Sequence, residues 1–122
     1  MAGAKLLSDG LKKNRSLQSI TFINGLIGLE GSKYLADVLK INTSITSLDF
    51  YGEVMPSDAI KLFTDALDYN STLQLLCFNS NEDTFDMTNR LTNINRNPSQ
   101  FPTEIQEKEN RRREYLQDIN HF

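Results

Sequence analysis

The chain predicts an α/β solenoid in which outer helices alternate with short parallel strands, one helix and one strand to a unit. Three observations predict it. Asn14, Asn42 and Asn70 stand at a constant spacing of 28 residues. The string after each of them alternates in the manner of a strand. The string before each carries apolar residues at helical spacing. Self-similarity at a fixed step marks a stacked array, because one unit has an apolar face that only its neighbours can cover.

The first unit opens with Leu7, Gly10 and Leu11 at i, i+3, i+4, one face of a helix, with Lys5, Asp9, Lys12 and Lys13 mainly outside it. The start, M-A-G-A-K-L-L-S-D-G, lacks the long apolar centre of a signal peptide and reads as part of that helix. After Asn14, N-R-S-L-Q-S-I-T-F sends Ile20 and Phe22 inward and Ser19, Thr21 and Ile23 outward, with Leu17 opening a column that recurs every 28 residues. The second helix is expected over roughly Glu30 to Ile41, with Leu35 and Leu39 in the columns of Leu7 and Leu11. N-T-S-I-T-S-L-D-F then turns Leu48 and Phe50 in, and Ser47, Asp49 and Tyr51 out, with Ile45 in the column of Leu17. The third helix is expected over roughly Ser57 to Tyr69, with Phe63 and Leu67 in the same columns and Ser57, after Pro56, as its N-cap. N-S-T-L-Q-L-L-C-F places Leu76 and Phe78 inside and Leu75, Cys77 and Asn79 outside, with Leu73 in the column of Leu17 and Ile45.

The fourth unit is degenerate. Asn97 comes after 27 residues instead of 28 and continues only as N-P-S-Q-F. Counted back from Asn97, Ile94 keeps the column of Leu67; counted forward by 28, Leu91 follows Phe63 and Phe101 follows Leu73. A helix is expected over Phe85 to Ile94, while Pro98 and Pro102 argue against a strand after it. Residues 103 to 120 read as a last helix whose weak stripe is Ile105, Leu116 and Ile119 with the stem of Arg112. The expected organisation is therefore repeats over 1–101 and a capping helix over 102–122. No comparable cap precedes the first unit, which leads to an expectation of self-association through that end, or of a longer repeat protein.

The strings L-x-x-I-x-F, I-x-x-L-x-F and L-x-x-L-x-F resemble the leucine-rich-repeat core, and the 28-residue step with a full helix is similar to the ribonuclease-inhibitor-like subclass. The match covers about residues 3 to 97. It departs at the ninth position, where the usual asparagine is Gly25, Glu53 and only then Asn81. The resemblance implies a right-handed βα superhelix with a concave parallel sheet. It also implies a non-enzymatic module that binds another protein through that sheet, with no cofactor. Ribonuclease inhibitors, Ran GTPase-activating proteins, tropomodulin-like actin-capping proteins and nucleotide-binding innate receptors share the architecture. Their partner-specific residues do not map onto this chain. The alternative is the C-terminal capping segment of a longer leucine-rich-repeat protein of the GTPase-regulator, actin-capping or innate-sensor type.

Composition narrows the function classes. A net charge of −3 and an isoelectric point near 5.1 speak against a nucleic-acid partner, which calls for a basic surface. No apolar run approaches the roughly 18 residues of a membrane span. With Cys77 as the only cysteine there is no intrachain disulfide, and a reduced, cytoplasmic setting is expected. Asn14-Arg15-Ser16, Asn42-Thr43-Ser44 and Asn70-Ser71-Thr72 look like glycosylation triplets. Their place in the repeat makes them structural: asparagine ends the helix, tolerates a left-handed backbone and bonds locally.

Cys77 and His121 lie in different elements with no third group to orient the histidine, so they do not make a nucleophile and base. One cysteine and one histidine make a poor zinc set, and no acidic run has calcium-loop spacing. Arg111, Arg112 and Arg113 read as a solvated helix face, paired at i, i+4 through Glu107–Arg111 and Glu109–Arg113. The candidate site is instead the outward parity of the strands: Ser19, Thr21, Ile23, Ser47, Asp49, Tyr51, Leu75, Cys77 and Asn79. Its mixture of aromatic, aliphatic and acidic groups suits a protein-binding patch.

Overall fold

The structure is a computed structural model that describes residues 2–23, 27–51, 55–78 and 82–120. Helices and strands alternate: α1 (Ala2–Lys13), β1 (Ser19–Ile23), α2 (Gly28–Ile41), β2 (Ser47–Tyr51), α3 (Ser57–Ala66), β3 (Leu75–Phe78) and α4 (Glu82–Arg96). A single 3₁₀ turn, Pro98–Gln100, and α5 (Pro102–Asn120) complete the chain. The architecture is α/β, and the described residues form an open three-stranded parallel sheet in the order β1-β2-β3.

The sheet pairs each residue with the one 28 positions on: Ile20 with Leu48 and Leu48 with Leu76, Phe22 with Phe50 and Phe50 with Phe78. Parity then sorts the side chains. Leu48, Phe50 and Leu76 are buried, Phe50 completely. The three phenylalanines stack, ring centroids 5.3 Å apart for Phe22–Phe50 and 5.6 Å for Phe50–Phe78. Phe63 of α3 closes against two of them, at 5.1 Å from Phe50 and 5.6 Å from Phe78. The helix layer supplies the opposite wall through Leu35, Leu39, Phe63 and Leu67, all buried.

The first unit is the exception to its own columns. Leu7 and Leu17 are each 38% exposed, although Leu35, Phe63, Ile45 and Leu73 in the same columns are buried. Position within the repeat fixes the direction of a side chain; only a preceding unit would cover it. The third helix ends at Ala66 instead of Tyr69, and residues 67 to 69 form a turn. Pro56 holds the N-cap position expected for Ser57, which is the first helical residue.

The recurring asparagines tie one unit to the next. In each, Oδ1 accepts two backbone N–H groups of the turn: Ser16 and Leu17 on Asn14, Ser44 and Ile45 on Asn42, Thr72 and Leu73 on Asn70. The Nδ2 group of Asn42 donates backward to the carbonyls of Leu11 and Asn14, at 2.8 and 2.9 Å. Asn70 repeats this on Leu39 and Asn42, at 2.8 and 3.3 Å. Asn42 and Asn70 are buried with both amide atoms engaged, so a glycan at either would break the fold. The expected left-handed backbone is not used at Asn42, whose φ of −69° and ψ of 136° are extended. A left-handed conformation occurs instead at Gly28, with φ of 68°, at the start of α2.

Asn97 does not continue this ladder: its Nδ2 bonds locally to Asn93. Pro98 follows it and the chain takes a 3₁₀ turn instead of a strand. Other side chains supply the donors a further unit would bring. Asn95 Nδ2 donates to the carbonyls of Asn70 and Leu73, Lys108 Nζ to Asn70 at 3.0 Å, and Arg96 to Gln74 at 2.7 Å. Farther along α5, Arg111 donates to Asp68 and Arg112 Nε to Ile41, and Lys40 of α2 sits 5.2 Å from the rings of both Tyr69 and Tyr115. The arginine cluster is thus only partly a solvated face. Glu107–Arg111 pairs at 3.6 Å; Glu109–Arg113 is absent from the ion pairs of the described residues, and Arg112 is half-buried.

Candidate functional site

The outward parity of the strands builds a small sheet face in rows. Ser19, Ser47 and Leu75 form one row, Thr21, Asp49 and Cys77 a second, and Ile23 and Tyr51 a third. Adjacent strands lie about 4.8 Å apart, so each row sets its residues side by side across the sheet. Asn79 would extend the third row but lies outside the described residues.

The face is polar and half-covered in the middle and apolar at its margins. Asp49, Ser47 and Cys77 are half-buried. Ile23 is 66% exposed, Tyr51 65% and Leu75 45%. α5 packs on α2, α4 and the 3₁₀ turn, which places it on the helix layer. Burial pushes the Cys77 thiol above its ordinary value, and the Asp49 carboxylate across the strand pair adds to the effect. Both influences oppose thiolate formation, the reverse of what activates a cysteine nucleophile. His121, the other half of that pair, lies outside the described residues.

Among the described residues no group of three or more histidine, cysteine or acidic side chains could hold a metal ion. None of the described helices is long and apolar enough to cross a membrane. What this arrangement can do is present an acidic centre flanked by an aromatic and two aliphatic groups, on the backbone of three paired strands.

Sequence reasoning found this face by parity but missed the side chains that seal the far end. Lys108 is the clearest case, 5% exposed inside a highly charged helix. It stands at i+3 from Ile105 and i−4 from Arg112, on the apolar stripe of α5, and that spacing was the available signal. Asn95, Arg96 and Arg111 carry no such mark.

Neither a comparison with family models nor one with curated proteins finds a match for this chain.

Proposed function

We propose that the chain is a leucine-rich-repeat solenoid of the ribonuclease-inhibitor-like type, and that it is a non-enzymatic module binding another protein through its sheet face. One observation carries the reading. Ile23, Tyr51 and Leu75 are exposed on the side of the sheet opposite the core, around Asp49. Large apolar groups held open beside a polar centre suit a protein-binding patch, and tyrosine is enriched among the residues that anchor such interfaces. The reading needs no nucleic acid, membrane or cofactor, and the partner is a protein of unassigned identity.

The test is affinity capture with the wild-type chain beside an Asp49→Ala, Tyr51→Ala double variant, each first shown to melt alike. Proteins retained by the wild type and lost by the variant support the reading; identical sets reject it. The exposed first unit favours a second reading, in which β1 and α1 stack on a further repeat or on a second copy. Sedimentation equilibrium distinguishes this: a Leu7→Lys, Leu17→Lys variant that dissociates an oligomer supports it, and a wild-type monomer at all concentrations counts against a second copy.

A further inference from the structure

We infer that the cleft between the ends of α1 and α2 and the flank of α5 binds a compact phosphate monoester. The cleft has a volume of about 320 Å³, and its lining includes Lys12, Arg15, Thr43, Arg112 and Leu116. Three of its lining residues are cationic and none is acidic. No carboxylate among the described residues pairs with Lys12, Arg15 or Arg112; the ion pairs lie elsewhere, at Lys33–Glu30, Lys61–Asp65 and Arg111–Glu107. On a chain of net charge −3 this is a local cluster of positive charge with no ion-paired carboxylate among the described residues.

The bland account is that these cations serve the C-terminal ends of the helices, where carbonyl groups attract them. The hydrogen bonds speak against it as a full explanation. The carbonyls of Leu11 and Asn14 already accept from Asn42 Nδ2, at 2.8 and 2.9 Å. That of Ile41 accepts from Arg112 Nε at 2.9 Å. Among the described residues Lys12 and Arg15 have no such partner. The Nε bond also orients the Arg112 guanidinium and leaves its two terminal nitrogens without a partner among the described residues. A planar donor pair with a fixed plane is suited to the tetrahedral oxygens of phosphate.

Size and charge select the ligand class. The volume sits at the low end of small-ligand pockets, roughly 300 to 1,000 Å³, so it admits one phosphorylated side chain or a small phosphoester. A membrane surface is read by clusters of about four to eight cations, more than this recess holds. A nucleic-acid backbone would meet the acidic remainder of the chain.

The test is a two-dimensional NMR titration of the whole chain with inorganic phosphate, with O-phosphoserine and with serine. Vesicles of phosphatidylcholine containing phosphatidic acid form a separate arm. The expected result is saturable movement of the amide signals of residues 12–15, 41–43 and 112–116 with phosphate and phosphoserine, and none with serine. Lys12→Ala and Arg15→Ala, both outside the core, should each weaken binding roughly tenfold, the loss expected for one charge-assisted hydrogen bond. Arg113→Ala, on α5 but outside the cleft, should bind as the wild type does. Shifts that never saturate, or an equal loss in Arg113→Ala, would mean diffuse attraction and overturn the proposal. Vesicle binding without phosphoserine binding would overturn it in favour of a membrane surface.

Discussion

Replacing Asn70 and Asn14 by alanine, one at a time, separates the stacking role of this residue from its local role. Both asparagines accept the two N–H groups of their own turn. Only Asn70 also donates to the preceding unit, and Asn70 is 2% exposed where Asn14 lies at the surface. In Asn70→Ala, the buried Leu73 N–H and the Leu39 carbonyl lose partners that water cannot replace. Each buried orphan costs about 1 to 3 kcal/mol, so the expected loss is roughly 4 kcal/mol, a large share of the roughly 5 to 15 kcal/mol that a domain holds. In Asn14→Ala the freed N–H groups of Ser16 and Leu17 are exposed and rehydrate, and the loss should stay near 1 kcal/mol. Urea unfolding followed by circular dichroism, with the slope unchanged, gives both values. Equal losses for the two variants would refute the claim that asparagine couples the units.

Three further outcomes are expected. Burial lowers the Lys108 ammonium from 10.5 to about 8, so between those values the unfolded chain holds a proton that the folded chain lacks. Stability should therefore rise with pH from about 8 towards 10.5, by at most about 3 kcal/mol, and Lys108→Met should flatten that rise in pH-dependent melting. Cys77 and Tyr115, both raised by burial, act oppositely as pH passes their ordinary values of 9.0 and 10.0, so the window just above pH 8 is the cleanest. Leu48→Ala should cost about 2 to 5 kcal/mol and Tyr51→Ala under about 1 kcal/mol by the same urea assay; a reversed order would mean that the strand faces are exchanged. Gly28→Ala should lower stability by about 1 kcal/mol, because the left-handed backbone is strained for alanine even though its Cβ would meet nothing within 4 Å.

Much of this was legible before any coordinates. Columns such as Leu11, Leu39 and Leu67 show in the sequence because the same contact recurs at the same step. Strand parity then assigns Asp49 and Tyr51 to the open face without knowledge of the helices. What repeats cannot show is anything made once. Asn97 keeps the motif letter but falls one residue out of phase and precedes a proline, so its amide turns back onto Asn93. Arg112 reaches a carbonyl 71 residues away, and a single long-range bond leaves no periodic trace. Exposure is hidden for the same reason: Leu7 and Leu35 are equivalent by column, yet among the described residues it is Leu35 that has another unit, α1, packed in front of its helix.

The two ends of the stack pose opposite chemical problems, and this explains where the cations went. Each asparagine points its donors backward, so every unit offers carbonyls forward, from Leu39, Asn42 and Ile45 to Asn70 and Thr72. At the last unit those forward carbonyls need donors from outside the repeat. Apolar residues could cover the core but would leave the carbonyls buried and unpaired. Asn95 and Arg96 of α4 and Lys108 and Arg111 of α5 meet the requirement, their nitrogens reaching the carbonyls of the third unit, while Arg112 reaches back to Ile41 of the second. At the first unit the polarity is reversed. There the group without a partner among the described residues is the Asn14 amide NH₂, on the same unit as the exposed Leu7 and Leu17. Under the second reading, a unit stacked on that edge would have to bring acceptors, as backbone carbonyls or carboxylates, together with apolar surface. A basic segment resembling α5 would fail there, because it would set donors against a donor.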